Sequence, residues 1–283
     1  MCRLFGFRSV IESQVHRSLL AAENALGVQS SGHPDGWGVA FYVDGAPHLT
    51  RSPTTAFGDK MFHRLSGVVS SQTVLAHVRK ATQGGHSVFN CHPFQHGRWV
   101  FAHNGDIPNF EERRASLLAE VAPALRRFIL GDTDSEVLFY LFLTALRGDN
   151  VRSASTDVHG AMAALATTVK RVRELCDRDG AESLLTLMAT DGEVLVATHG
   201  GKELYVSTYK KRCADRDRCA HLSSVCEGPS NTGQVNHFIV SSEPLSGENV
   251  WQPLERGDIV GVDRGMRTFR SHLERRELPL VGT

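Results

Sequence analysis

Cys2 stands in "MCRLFGF", where an apolar run begins directly behind the initiator methionine. Leading segments of domains are usually polar and loosely held, so this opening reads as an amino terminus buried in the fold. A cysteine at that place has a chemistry of its own. Once Met1 is removed, as methionine aminopeptidase does ahead of small residues such as cysteine, thiol and α-amino group belong to one residue. With a pKa of about 8 the amine is partly neutral at physiological pH and can take the thiol proton. The plainer alternative is a small buried hydrophobe, which most free cysteines are.

The remaining cysteines, Cys91, Cys176, Cys213, Cys219 and Cys226, show no paired CxxC spacing. Three of them fall with His221 in "KKRCADRDRCAHLSSVCEG", but the gaps are wide for a metal centre, and free thiols in a mobile surface loop are the expectation. Cys91 and His92 adjoin in "NCHPF", a thiol beside an imidazole, read as a structural segment. Taken alone, Asn104-Gly105 is a favoured turn pair. Arg79 alone is a solvated strand residue, and Asp134 alone is an acid in the first turn of a helix.

The elements that must place these residues follow from periodicity. "CRLFGFRS", "GWGVAFYVDG", "TVLAHVRKAT" and "RWVFAHNGD" are β-branched and aromatic runs bounded by turn residues, and read as strands. Between the first two, Val15, Leu19, Leu20 and Leu26 fall near helical spacing with Gly27 as a stop, which predicts a helix. "GDTDSEVLFYLFLTALRG" carries Thr133 three residues before Glu136, a capping box that starts a helix near Asp134. Its Val137–Leu143 run is apolar all round, so that helix is expected to be buried. "DVHGAMAALATTVKRVRELCDRDG" predicts an amphipathic helix with Lys170, Arg171 and Arg173 toward its favourable end. Strands return in "SLLTLMATDGEVLVATHGG", with a hairpin at Asp191-Gly192, and in "ELYVSTYKK", "HFIVSSEPL" and "GDIVGVDRG". Strands, helices, then strands predict an α+β layered domain of two packed antiparallel sheets with helices outside, spanning 2–283 without a linker.

With 31 basic and 31 acidic residues there is no net field to draw the chain to nucleic acid or an anionic membrane surface. No apolar run approaches the roughly 20 residues of a membrane span, and "MCRLFGF" has no secretory-signal pattern. The expectation is a cytoplasmic protein with reduced thiols.

"MCRLFGF", "DGWGVAFY", "LAHVRKAT", "HPF", "AHNGD" and "GDTDSEVL" occur in the order and spacing of the class II glutamine amidotransferases, whose domain is an amino-terminal-nucleophile hydrolase. The chain is similar to the stand-alone members, the group that includes the γ-glutamyl hydrolase of ergothioneine biosynthesis and the subunit acting in yeast glutathione degradation. The resemblance is strong over 2–145 and weaker through "VSSEPL" and "WQPLERGDIVGVD", where 146–283 is expected to complete the four-layer αββα sandwich. It implies Cys2 as the nucleophile that forms a glutamyl thioester, with Asn104 and Gly105 as the oxyanion hole. Arg79 would hold the α-carboxylate and Asp134 the α-ammonium of the glutamyl group, with Thr82 near the substrate. Lys80 and Gln83 depart from the tryptophan and histidine of many synthase-linked members. His77 and His103 are expected in supporting or packing roles, and "DGWG" at 35–38 as architecture whose glycines let the backbone pass near the amino terminus.

The function these residues imply is an amidohydrolase that cleaves the γ-glutamyl amide of glutamine or a small γ-glutamyl conjugate. No cofactor or metal is expected. With no synthase segment in the sequence, it would hydrolyse alone or hand ammonia to a partner synthetase; a peptidase partner and a homodimer are further expectations. The alternatives are a glutaminase subunit of an unlinked amidotransferase and a non-catalytic γ-glutamyl-binding module.

Overall fold

Residues 2–15, 17–147, 157–178 and 180–273 are described by the computed structural model. Strand β1 (Arg3–Gln14) opens the chain, followed by α1 (Leu26–Gln29), the hairpin of β2 (Trp37–Val43) and β3 (Ala46–Ser52), α2 (Lys60–Val68) and β4 (Ser70–Val78). Then come β5 (Phe94–His96), β6 (Trp99–Asp106), α3 (Phe110–Glu120), α4 (Pro123–Arg126), α5 (Asp134–Arg147) and α6 (Val158–Cys176). The chain returns through β7 (Leu184–Thr190), β8 (Leu195–Thr198), β9 (Tyr205–Ser207), β10 (His237–Ser241), β11 (Gln252–Pro253), β12 (Asp258–Val262) and β13 (Thr268–His272).

These strands form two sheets, ordered β11-β9-β10-β1-β4-β2-β3 and β13-β12-β8-β7-β6-β5. Every pairing is antiparallel. Successive side chains of a strand point to opposite faces, and three separate cores result. Leu4, Leu75 and Val240 of the first sheet meet Ala102, Met188 and Leu195 of the second in an inter-sheet layer. Phe5, Phe7 and Val74 turn outward onto Phe62 of α2 and onto Leu19 and Leu26. The outer face of the second sheet is covered by α3, α5 and α6, with Phe101 stacked on Phe139 and Phe142 at 5.4 and 5.9 Å. The layering is therefore helices, sheet, sheet, helices, as the sequence predicts.

The Thr133 cap forms, its hydroxyl accepting from Glu136 N (3.3 Å). The Glu136 carboxylate reaches back past the cap to Leu130 and Gly131 N. Residues Val137 to Leu143 are buried all round. The helix expected between the first two strands differs. β1 stays in the sheet to Gln14, paired with Ser70 across an irregularity after Arg8, and only the turn Arg17–Ala21, α1 and a 3-10 turn at Ser30–Gly32 follow. Val15, Leu19 and Leu26 are buried as the spacing requires, but sheet pairing claims the residues needed for a continuous helix. Helix α3 carries no long apolar stripe, and only Phe110 and Leu117 are buried in it, too sparse a pattern for the sequence to signal.

Candidate active site

Leu4 faces the inter-sheet layer, so Cys2, two residues earlier, starts on the same side of β1. Register pairs Arg3 with Val78 and Leu4 with His77, which carries Cys2 opposite Arg79. The Cys2 Sγ lies 3.4 Å from both the N and the O of Lys80, and the residue is 9% exposed. Burial pushes its thiol up, partly offset by the Lys80 backbone hydrogen bond and by the Arg79 charge. A thiol so placed stays protonated at neutral pH. The Lys80 side chain itself is exposed, so the main chain at this position is what faces the sulfur.

Arg79 is buried at 2% exposure. Its guanidinium donates to the carbonyls of Gln83 (2.7 Å), Gly84 (3.3 Å) and Gly85 (3.1 Å), wrapping the 80–85 loop around itself. These bonds leave donors on Nε and Nη1. Gly84 sits at φ +68, with Asn90 and Thr133 against it, and Asn90 Nδ2 also donates to the Gly85 carbonyl (3.1 Å). Gln83 Nε2 donates to Asp106 Oδ1 (3.1 Å), tying the loop to the end of β6. Thr82 is exposed in this loop.

On the second sheet Val100 and Ala102 face inward, so Asn104 does too. Its Nδ2 approaches Ser242 Oγ at 3.4 Å, and its Oδ1 is buried without a partner among the described residues. Ser242 Oγ also accepts from Leu4 N (3.0 Å), so one hydroxyl joins β1 to the asparagine. Asn104 and Gly105 lie within β6, opposite Thr186 and Leu185, and form no turn. A methyl at Gly105 would overlap the Leu184 carbonyl oxygen.

Asp134 opens α5 and is buried; Oδ2 accepts from Ile107 N (3.0 Å) and Oδ1 from Ser135 N (2.7 Å). Burial raises its carboxyl, opposed by the nearby His103 and the Ile107 hydrogen bond. The Asp134 charge acts on the Cys2 thiol, as does that of Arg79. Cys2, Arg79, Asn104 and Asp134 thus converge from β1, the end of β4, β6 and α5. His103 is a brace beneath them, pairing with the Ser135 hydroxyl (2.8 Å) and donating Nε2–H to the Leu184 carbonyl (2.8 Å).

The "DGWG" segment is architecture, but its close contacts differ from the expectation. A methyl at Gly36 would lie 2.6 Å from Cys91 Sγ, and one at Gly38 would overlap the His92 carbonyl; the glycines admit the 91–92 segment rather than the amino terminus. Asp35 Oδ2 accepts from Ala81 N (2.8 Å), so this segment anchors the loop beyond Arg79. Trp37 is core, edge-on to Phe62 at 5.1 Å. Cys91 and His92 form no thiol–imidazole pair: the Cys91 thiol donates to Ser52 and Ser87 carbonyls, while the His92 ring lies on His77 at 4.1 Å. Sequence reasoning had no local signal for Ser242, Asp35 or Asp106 as supports, apart from their places in the quoted motifs.

The three thiols of the 209–236 segment lie in a loop tied down at several points. Asn236 Nδ2 donates to the His221 carbonyl (2.8 Å) and Cys226 Sγ (3.0 Å), and Glu227 accepts from Cys213 N (2.7 Å). Cys226 is buried. Among the described residues no helix is long and apolar enough to cross a membrane.

The family profile for class-II glutamine amidotransferases matches residues 1–279. The chain is 31% identical over 254 residues to the probable glutamine amidotransferase DUG3 of Saccharomyces cerevisiae, covering 81% of this chain and 67% of that one. It is 30% identical over 207 residues to the gamma-glutamyl-hercynylcysteine sulfoxide hydrolase of Mycobacterium tuberculosis, covering 70% and 84%. Among solved structures, a class-II domain protein of Silicibacter pomeroyi superposes with TM-score 0.61 at 21% identity, covering 96% and 99%. The glutamine phosphoribosylpyrophosphate amidotransferase of B. subtilis superposes with TM-score 0.59 at 14% identity, covering 97% of this chain and 50% of that one. The chain belongs to the class II glutamine amidotransferases, a family of enzymes acting on amides.

Proposed function

We propose that this protein hydrolyses the γ-glutamyl amide bond of a small γ-glutamyl conjugate or of glutamine, through a thioester on Cys2. What supports the reading most is the convergence of a thiol, a buried arginine, an inward asparagine and a buried carboxylate from four separate elements on one end of the inter-sheet layer. In this scheme the α-amine of Met-free Cys2 takes the thiol proton as sulfur attacks the γ-carbonyl. Asn104 Nδ2 and the Gly105 N–H face the developing oxyanion, donors worth about 3 kcal/mol each in such transition states. The C–N bond breaks, the amine leaves with the proton, and water releases glutamate from the thioester. The free Nε and Nη1 donors of Arg79 suit the substrate α-carboxylate, for which a guanidinium fork is shaped, and Asp134 suits the α-ammonium. The hydrolase named among the relatives favours a conjugate over free glutamine.

The deciding experiment is intact mass before and after 6-diazo-5-oxo-norleucine, a glutamine mimic that alkylates such thiols, followed by peptide mapping. One adduct on a Met-free Cys2, together with loss of glutamate release in Cys2→Ala by a factor on the order of 10⁴ or more, is expected. No adduct on a correctly processed chain, or undiminished turnover by Cys2→Ala, refutes the reading.

A further inference from the structure

The other end of β1 borders a separate cavity of about 550 Å³. It lies between the outer face of the first sheet, at Phe7, Ser9 and Ile239, and the loops that carry Lys210, Cys213 and Asn249. Strand rise puts Ser9 on the order of 20 Å along β1 from Cys2, and none of Cys2, Arg79, Asn104 or Asp134 lines it. Its volume is within the usual span of small-molecule pockets, about 300–1,000 Å³.

Two residues of its wall each carry a buried polar atom that has no hydrogen-bond partner among the described residues: His237 Nε2 and Asn249 Oδ1. His237 is 8% exposed, and burial, helped by the Lys210 charge, pulls its imidazole down to about 4, so the ring is neutral. Lys210 is held beside Asn249 by an antiparallel backbone bridge. A buried polar atom with no partner is destabilising unless a ligand or water completes it. The wall therefore combines a cation with an unused acceptor and an unused imidazole nitrogen just behind its surface. Phe7, Val15, Ile239 and Leu245 give an apolar floor.

We propose that this cavity is a second binding site for a free amino acid or dipeptide with an apolar side chain. The carboxylate meets Lys210, an N–H meets Asn249 Oδ1, His237 Nε2 completes the polar end, and the side chain lies on the apolar floor. The proposal stands independently of the amidohydrolase reading.

Cys213, Cys219 and Cys226 line the same cavity and report on its occupancy. The full chain is alkylated with iodoacetamide in the presence of L-leucine, L-methionine, L-phenylalanine or Leu-Gly at millimolar concentration, and each cysteine is followed by peptide mass. At about ten times its Kd a ligand slows alkylation of Cys213 and Cys219 about tenfold, and leaves Cys91 and Cys176 unchanged. Asn249→Leu and Lys210→Met each return the unliganded rate; should Asn249→Leu lower the melting temperature, the half-exposed Lys210 decides. If none of the four compounds changes the rates, the cavity takes no such ligand, and if protection survives both substitutions, Lys210 and Asn249 do not hold it; either result overturns the proposal.

Discussion

Among the described residues Cys2 has no carboxylate or imidazole hydrogen-bonded to its sulfur; its hydrogen-bond neighbours are the N and O of Lys80. With burial pushing the thiol up, the proposed mechanism takes its base from the residue's own amine. Chain shown by mass to retain Met1 is therefore expected to release no glutamate, and full activity of such material would assign the base elsewhere. Arg79 makes a second residue-scale argument. Its guanidinium already holds three loop carbonyls, a geometry the compact ammonium of lysine cannot reproduce. Arg79→Lys is expected to lower kcat/KM by about 10–100-fold, since hydrogen bonds to charged groups contribute about 1.5–3 kcal/mol. An unchanged kcat/KM would remove Arg79 from the glutamyl pocket.

At the scale of elements, β6 leaves no room at Gly105. Gly105 faces the Leu184 carbonyl so closely that a Cβ needs β7 to move, and the same carbonyl accepts from His103 Nε2. Gly105→Ala is expected to destabilise the fold by about 1–3 kcal/mol, the range for overpacking, and to lower turnover as Asn104 shifts with the strand. Denaturant midpoints and glutamate release on the same sample check this; a wild-type midpoint would mean that β7 yields freely. Helix α5 shows the reverse case, where local chemistry suffices. Thr133 caps it and Glu136 turns back onto Leu130 and Gly131, so Asp134 is fixed at the helix start with its carboxylate on Ile107 N.

For the whole molecule, the buried histidines impose a pH dependence. Burial pulls His77 from 6.5 down to about 3 and His237 down to about 4, and holds His92 well below its usual value. These rings take up protons only on unfolding, so stability falls as pH drops below about 6.5. At pH 5 His77 alone accounts for about 2 kcal/mol of that loss. Asp134 and Glu136, raised by burial, act in the opposite sense as pH falls through their folded values. Urea midpoints between pH 7 and pH 5 are expected to fall, and less steeply for His77→Gln than for wild type. An equal slope in the two proteins would show that His77 titrates normally when folded.

The sequence by itself determined the order of the motifs, the strands and helices with strong period, the hairpin at Asp191-Gly192, the capped start of α5 and the layered α+β class. Each rests on residues within a few positions of one another, where side-chain alternation and hydrogen-bonding capacity act locally. Tertiary structure alone decided that Leu4 N shares Ser242 Oγ with Asn104, although Leu4 and Ser242 are 238 residues apart. It alone placed Asn104-Gly105 in a strand instead of a turn, kept β1 in the sheet through Gln14 and drew the thiols of the 209–236 loop around one cavity. Those outcomes depend on which strand lies beside which, and antiparallel pairing across hundreds of residues leaves no local trace in composition or spacing.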